Sequence, residues 1–248
     1  MRVRGAWVVV PLLLSWGVAG AETIDALLQA FYGPDGLPDK SAAYTGEMAD
    51  RYRDRATVGE QTPPGMRMQS RPLYQGDKEA VYATTLTDAA TTEDWYTFLR
   101  FEQGRWKLAA VRRPLFDGAF WNIFRELEQR HRRSDDEAWA LQNMRLTTQS
   151  DAELRRYFLD NRELLTTIAS RLLAGQRDEA VRLTRQLFLA AAKLNARAGW
   201  VEIVIGGIGS RGVGFLFIPQ GSHPPAMTPD RTILVEHLEG SWYLFRTL

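Results

Sequence analysis

Residues Trp95–Arg113 read WYTFLRFEQGRWKLAAVRR, and this stretch decides the fold class. Two β-type runs flank Gln103-Gly104. Glycine at the second turn position accepts φ > 0 without steric cost, which suits a two-residue hairpin. That turn sets Glu102 opposite Arg105, Phe101 opposite Trp106 and Leu99 opposite Leu108. Alternation along the strands then divides the side chains between two faces. One carries Trp95, Thr97, Leu99, Phe101, Trp106, Leu108 and Ala110. The other carries Tyr96, Phe98, Arg100, Lys107, Ala109 and Val111. Both faces are apolar, so either both are covered or one lines a cavity.

The chain closes on a similar phrase, Thr232–Leu248, TILVEHLEGSWYLFRTL. A turn at Glu239-Gly240 places His237 opposite Trp242, as a cross-strand packing pair. Working outward from the two hairpins, the spacing of Ile24, Leu27, Leu28 and Phe31 predicts a helix over 23–32. A second helix is expected over 41–55, a Pro/Gly loop over 57–65, and strands over 67–74 and 80–87. After Pro114, a helix is expected over 120–132. Ser134–Glu137 and Ser150–Glu153 are capping-box patterns. The second opens a long helix to Ala174, with Leu154, Phe158, Leu165, Ile168 and Leu172 on one stripe and Gly175 just past its end. A helix over 178–194 and strands over 200–205, 213–219, 232–238 and 242–248 complete the chain.

The expected architecture is α+β: two helix-helix-plus-four-stranded antiparallel meander units joined by a helical segment. The corresponding division is 22–115, a connector 116–148, and 149–248. The matching order of the halves fits an old duplication and fits convergence on one stable layout equally well.

The first residues read as a secretory leader over 1–21. Arg2 and Arg4 form a positive start, Trp7–Val18 an apolar run and Ala19-Gly20-Ala21 a small-residue cleavage site. An exported, periplasmic chain that is soluble after cleavage is expected. Of the 31 basic and 30 acidic residues, that leader holds two of the former and none of the latter. The remainder is close to neutral, which does not suggest a nucleic-acid binder or a polybasic membrane binder. The absence of cysteine excludes a disulfide framework, a thiol nucleophile and a Cys-based metal site. His131, His223 and His237 share no ligand spacing, so neither a metal nor another cofactor is expected.

Residues 22–115 resemble exported bacterial members of the nuclear transport factor 2-like superfamily, the cystatin-like α+β cone. The resemblance rests on IDALLQAFYG at Ile24–Gly33, AVYATTLTD at Ala80–Asp88 and the opening hairpin. It implies a cone that serves isomerases, dehydratases, small-ligand binders or interaction domains. Enzymes of that family place an Asp, His or Tyr in the cone, whereas residues 22–115 contain no His and hold Asp77, Asp88 and Asp94 in expected turns. No catalytic residue is carried over. Residues 151–248 resemble an uncharacterised exported bacterial module, on GVGFLFIP at Gly212–Pro219 and EGSWYLF at Glu239–Phe245.

Candidate sites follow from these patterns. Tyr82, Trp95, Tyr96, Arg100 and Trp106 are the candidate ligand pocket, with core packing as the competing account. Gly207–Gly212 matches G-x-G-x-x-G, but a strand follows where a dinucleotide site needs a helix. The glycines therefore read as a hairpin loop, with Arg211 at its tip as a candidate partner contact. His223, in the Pro-rich loop Pro219–Asp230, is a second. The charges from Arg125 to Arg133 read as a solvated helix face, against a sharper reading as a basic contact patch at Arg130–Arg133. The expected function is non-enzymatic binding of a protein or small ligand. The alternatives are a cone-type hydrolase or isomerase, with a raised carboxyl beside Tyr82 or Arg100, and an immunity or envelope-assembly factor.

Overall fold

The computed structural model describes residues 23–209 and 211–248. The expected leader lies outside the described residues. Helices and two antiparallel sheets make the chain an α+β protein.

Four strands, β1 (Arg67–Gln75), β2 (Glu79–Thr87), β3 (Thr92–Glu102) and β4 (Arg105–Arg112), form the first sheet in the order β1-β2-β3-β4. The hairpin register is the expected one, with Leu99 opposite Leu108 and Glu102 opposite Arg105. Gln103 and Gly104 both take positive φ, 55° and 80°, the handedness that matches strand twist. A bulge changes the far end: Phe98 pairs with Ala110 while Leu99 pairs with Leu108, so Ala109 is the extra residue. This exchanges the expected faces of Ala110 and Val111. Ala110 joins Tyr96 and Phe98 in one core cluster, and Val111 packs beside Leu99 and Trp95 in the other.

Helices α1 (Ile24–Tyr32), α2 (Lys40–Ala43), α3 (Gly46–Arg51) and α4 (Val58–Gln61) bring the residues that cover one face of this sheet. The expected helix over 41–55 is divided. Tyr44 forms a parallel bridge with Leu108, and the Thr45 amide donates to the Leu108 carbonyl (2.9 Å), so the chain leaves helical geometry there. Within the expected loop 57–65, a capping box between Thr57 and Glu60 starts α4. At Gly59 a Cβ would stand 1.9 Å from the Gly33 carbonyl, so only glycine admits this approach to the end of α1.

After α5 (Gly118–Gln129), both expected capping boxes form. They open α6 (Asp135–Thr147) and α7 (Asp151–Leu173). The predicted stripe on α7 is buried. Each such side chain contributes about 1.5–3 kcal/mol by leaving water. The helix expected over 178–194 is shorter: α8 spans Arg177–Gln186, Phe188 turns to positive φ (57°), and Ala191–Asn195 form β5. The apolar, Ala-rich run has good helix propensity, but the Ala190 amide reaches the carbonyls of Val204 and Ile205 and the run pairs with β6. Tertiary pairing overrides propensity.

The second sheet therefore has five strands, not four. β5, β6 (Trp200–Ile208), β7 (Arg211–Phe217), β8 (Thr232–His237) and β9 (Trp242–Thr247) lie in the order β5-β6-β7-β9-β8. The last strand inserts between β7 and β8, so this sheet is not a simple meander. Its closing hairpin is longer than expected: the Leu238 amide bonds to the Trp242 carbonyl, and His237 stands opposite Tyr243 rather than Trp242. That shift sends Trp242 into the core. The largest core cluster joins Ala83, Tyr96 and Phe98 of the first sheet to Phe158 and Ile168 of α7 and to Ile203 and Phe215 of the second sheet.

Candidate functional site

A junction between the two sheets sets the geometry. Asp151, the first residue of α7, is fully buried. Its Oδ1 accepts from the Tyr96 hydroxyl (2.8 Å) and Arg246 Nε (3.0 Å), and its Oδ2 from Arg71 Nη2 (3.0 Å). The Asp151 amide donates to Asp94 Oδ2 (2.7 Å), whose Oδ1 accepts from the Thr85 hydroxyl (2.7 Å). Arg71 also grips Glu236 in bidentate fashion, Nε to Oε1 at 3.0 Å and Nη2 to Oε2 at 2.8 Å. Arg155 donates to both oxygens of Glu236. Burial would raise the Asp151 carboxyl, but the guanidiniums of Arg246 and Arg71 hold it below the ordinary range. Asp94 goes the other way: burial, and then the charge of Asp151, push it up. Burial also drives the Tyr96 hydroxyl well up, so it stays a donor. These groups satisfy one another, and the arrangement is a clamp.

A separate open cleft of about 620 Å³ is lined by both sheets. Its floor includes Leu73, Val81, Phe98 and Ala109 of the first sheet, and Val235, His237 and Tyr243 come from the β8–β9 hairpin. Residues Pro224–Pro229 complete its lining as a roof. Arg112 holds that roof by donating from Nε to the Pro229 carbonyl (2.6 Å) while pairing with Glu47. Arg100 supplies the cation. Its side chain is 54% exposed, and its ion partner is Glu79 at 4.0 Å. The Ala109 bulge and the displaced His237–Tyr243 pair both contribute to this lining, so the departures from the expected registers help shape the cleft.

The five expected pocket residues are not brought together. Tyr82, Trp95 and Trp106 face helices α1–α4: the Tyr82 hydroxyl donates to Gln75 Oε1 (2.9 Å), and Trp95 carries the Arg113 guanidinium over its ring at 5.0 Å. Tyr96 points the opposite way, into the clamp. Arg100 alone of the five lines the cleft. Arg211 begins β7 opposite Ile208 and is exposed, and Gly207 pairs with Gly212 across the β6–β7 hairpin, so a strand follows the glycines. His223 is exposed on the loop just before the roof. Asp94, expected in a turn, lies in β3 and is buried. The carboxyl that is raised is thus Asp94, bonded to Thr85 and the Asp151 amide, rather than one bonded to Tyr82 or Arg100.

Asp151, Asp94, Glu236 and Arg246 were hidden because each has a local explanation by sequence: a helix first turn, a turn, a strand end. One signal was available. In WYLFRTL, alternation puts Arg246 on the same face as Trp242 and Leu244, which predicts a buried cation needing a partner. Among the described residues no cluster of three metal-ligating side chains occurs, and no helix is long and apolar enough to cross a membrane. Comparison with protein-family models, curated proteins and solved structures finds no match.

Proposed function

We propose that this is an exported, non-enzymatic protein that binds a small amphipathic ligand in the cleft between its two sheets. The carrying observation is the composition of that cleft: apolar side chains from both sheets, a proline roof, and one half-exposed arginine at a loose 4.0 Å from its carboxylate. Such a site suits an apolar body with an acidic head, since a few placed polar groups orient a ligand that apolar walls bind. The positively charged start and short apolar run at the N-terminus support export. Helices over one face of a four-stranded meander support a cone-like first half.

The test uses 8-anilinonaphthalene-1-sulfonate as probe and dodecanoate as competitor. Saturable, blue-shifted fluorescence that dodecanoate displaces is expected. Arg100→Glu should weaken both by about tenfold or more, equivalent to about 1.4 kcal/mol, without moving the melting temperature. No saturable binding, or binding indifferent to Arg100→Glu, defeats the reading.

A further inference from the structure

A second surface, away from the cleft, carries a different chemistry. α6 and the end of α8 border a groove of about 730 Å³. Arg133, Arg145, Arg182 and Arg185 line it, against Asp135 as the acid in the lining. Arg133 donates to the Leu127 and Glu128 carbonyls, both neutral acceptors. Arg145 and Arg185 share theirs with Glu128 and Asp136 on the rim. Arg182 is exposed on α8.

The two helices are bridged here by polar groups. Trp139 Nε1 donates to the Arg185 carbonyl (3.0 Å), and Asn143 Nδ2 to the Phe188 carbonyl (2.7 Å). The Arg185 guanidinium lies 5.7 Å from the Trp139 ring centre.

Phe188 is the second, independent observation. It holds positive φ at the end of α8, a place where glycine or asparagine is favoured, and the residue is 39% exposed. A bulky residue in that conformation is strained, and strain of this kind collects at functional positions.

We infer that this groove docks an acidic segment of a partner protein, one that alternates carboxylates with apolar side chains. The arginines take the carboxylates, in part bidentately. Phe188 and Trp139 take the apolar side chains. The interspersed Glu128 and Asp136 disfavour a uniform polyanion such as a nucleic acid, whereas carboxylates spaced along a peptide avoid them.

The probe is a fluorescein-labelled peptide of alternating glutamate and leucine pairs, about twelve residues long, read by anisotropy at 50 mM NaCl. Binding on the order of 10 µM is expected, weakened about tenfold at 300 mM NaCl. Arg182→Glu should weaken it at least tenfold, and Arg182→Lys should restore most of it. Phe188→Gly, which keeps the positive φ but removes the ring, should weaken binding, with circular dichroism confirming that the variant is folded. Oligothymidylate of the same length should bind more weakly. The inference is overturned by an absence of peptide binding at 50 mM NaCl, by indifference to Arg182→Glu, or by oligothymidylate binding at least as tightly as the peptide.

Discussion

The two faces of the β8–β9 hairpin use similar chemistry to opposite ends. On the inner face, Arg71, Arg155 and Arg246 bond Asp151 and Glu236, the Tyr96 hydroxyl donates to Asp151, and Asp94 accepts from the Asp151 amide. On the outer face, His237 and Tyr243 look across at Arg100 and Glu79, whose nearest approach is 4.0 Å, with an open cleft between the sheets. The difference teaches that partner count, not residue type, separates a fastener from a site. A buried charge whose partners are all protein groups has no capacity left for a ligand. A half-exposed charge beside an apolar hollow has that capacity.

The comparison breaks most sharply at Asp151. Asp151→Ala leaves Arg246, which is 3% exposed, without its carboxylate, and deprives Tyr96 and Arg71 of an acceptor. Removing one partner of a buried ion pair costs about 3–5 kcal/mol. Urea denaturation of the variant should show a loss of that size, along with loosened packing between the sheets. A loss under about 1 kcal/mol would mean that the clamp is not what joins them.

Glu236→Ala tests the more exposed end. Arg71 keeps Asp151, and Arg155 turns to water, so a smaller cost of about 2 kcal/mol is expected by the same measurement. Because the hairpin also borders the cleft, this variant should weaken 8-anilinonaphthalene-1-sulfonate binding modestly. Unchanged stability together with lost probe binding would instead assign Glu236 to the site.

The parts of the fold legible by sequence are those decided locally. Gln103-Gly104 sets the first hairpin register because two positive φ values suit few residue pairs. The two serine capping boxes and the α7 stripe are equally local. What escaped depends on distant partners. Ala109 bulges within a strand whose alternation reads as regular. Phe188–Asn195 has helix composition, yet it becomes a strand edge because β6 offers it hydrogen bonds. The clamp draws on Arg71, Asp94, Asp151, Glu236 and Arg246, and no spacing rule connects them. The cleft was half legible: Arg100 was named, but Tyr82, Trp95 and Trp106 pack on the other face of the sheet, and residues 224–229 come from a loop whose path short-range patterns do not determine.

The smallest effect belongs to Asp94, and its sign separates it from Asp151. Asp151 is held below its ordinary range, so its stabilisation is fully present above about pH 4, the unfolded carboxylate value, and is lost as pH falls through its lowered folded value. Asp94 is raised, so its contribution favours the protonated form: it is present below about pH 4 and is lost as pH rises through the raised value. At neutral pH the ionised Asp94 therefore works against the fold, although it accepts from Thr85 and the Asp151 amide. Asn at this position keeps one acceptor, and its amide nitrogen donates to the Thr85 hydroxyl, which rotates to accept. Asp94→Asn should thus lie within about 1 kcal/mol of the parent at pH 7, on the stable side, with the advantage vanishing by about pH 3. Paired denaturation curves at the two pH values check it. A variant much weaker at pH 7 than at pH 3 would show that the charge on Asp94 stabilises the start of α7, and that the clamp needs all six of its charges.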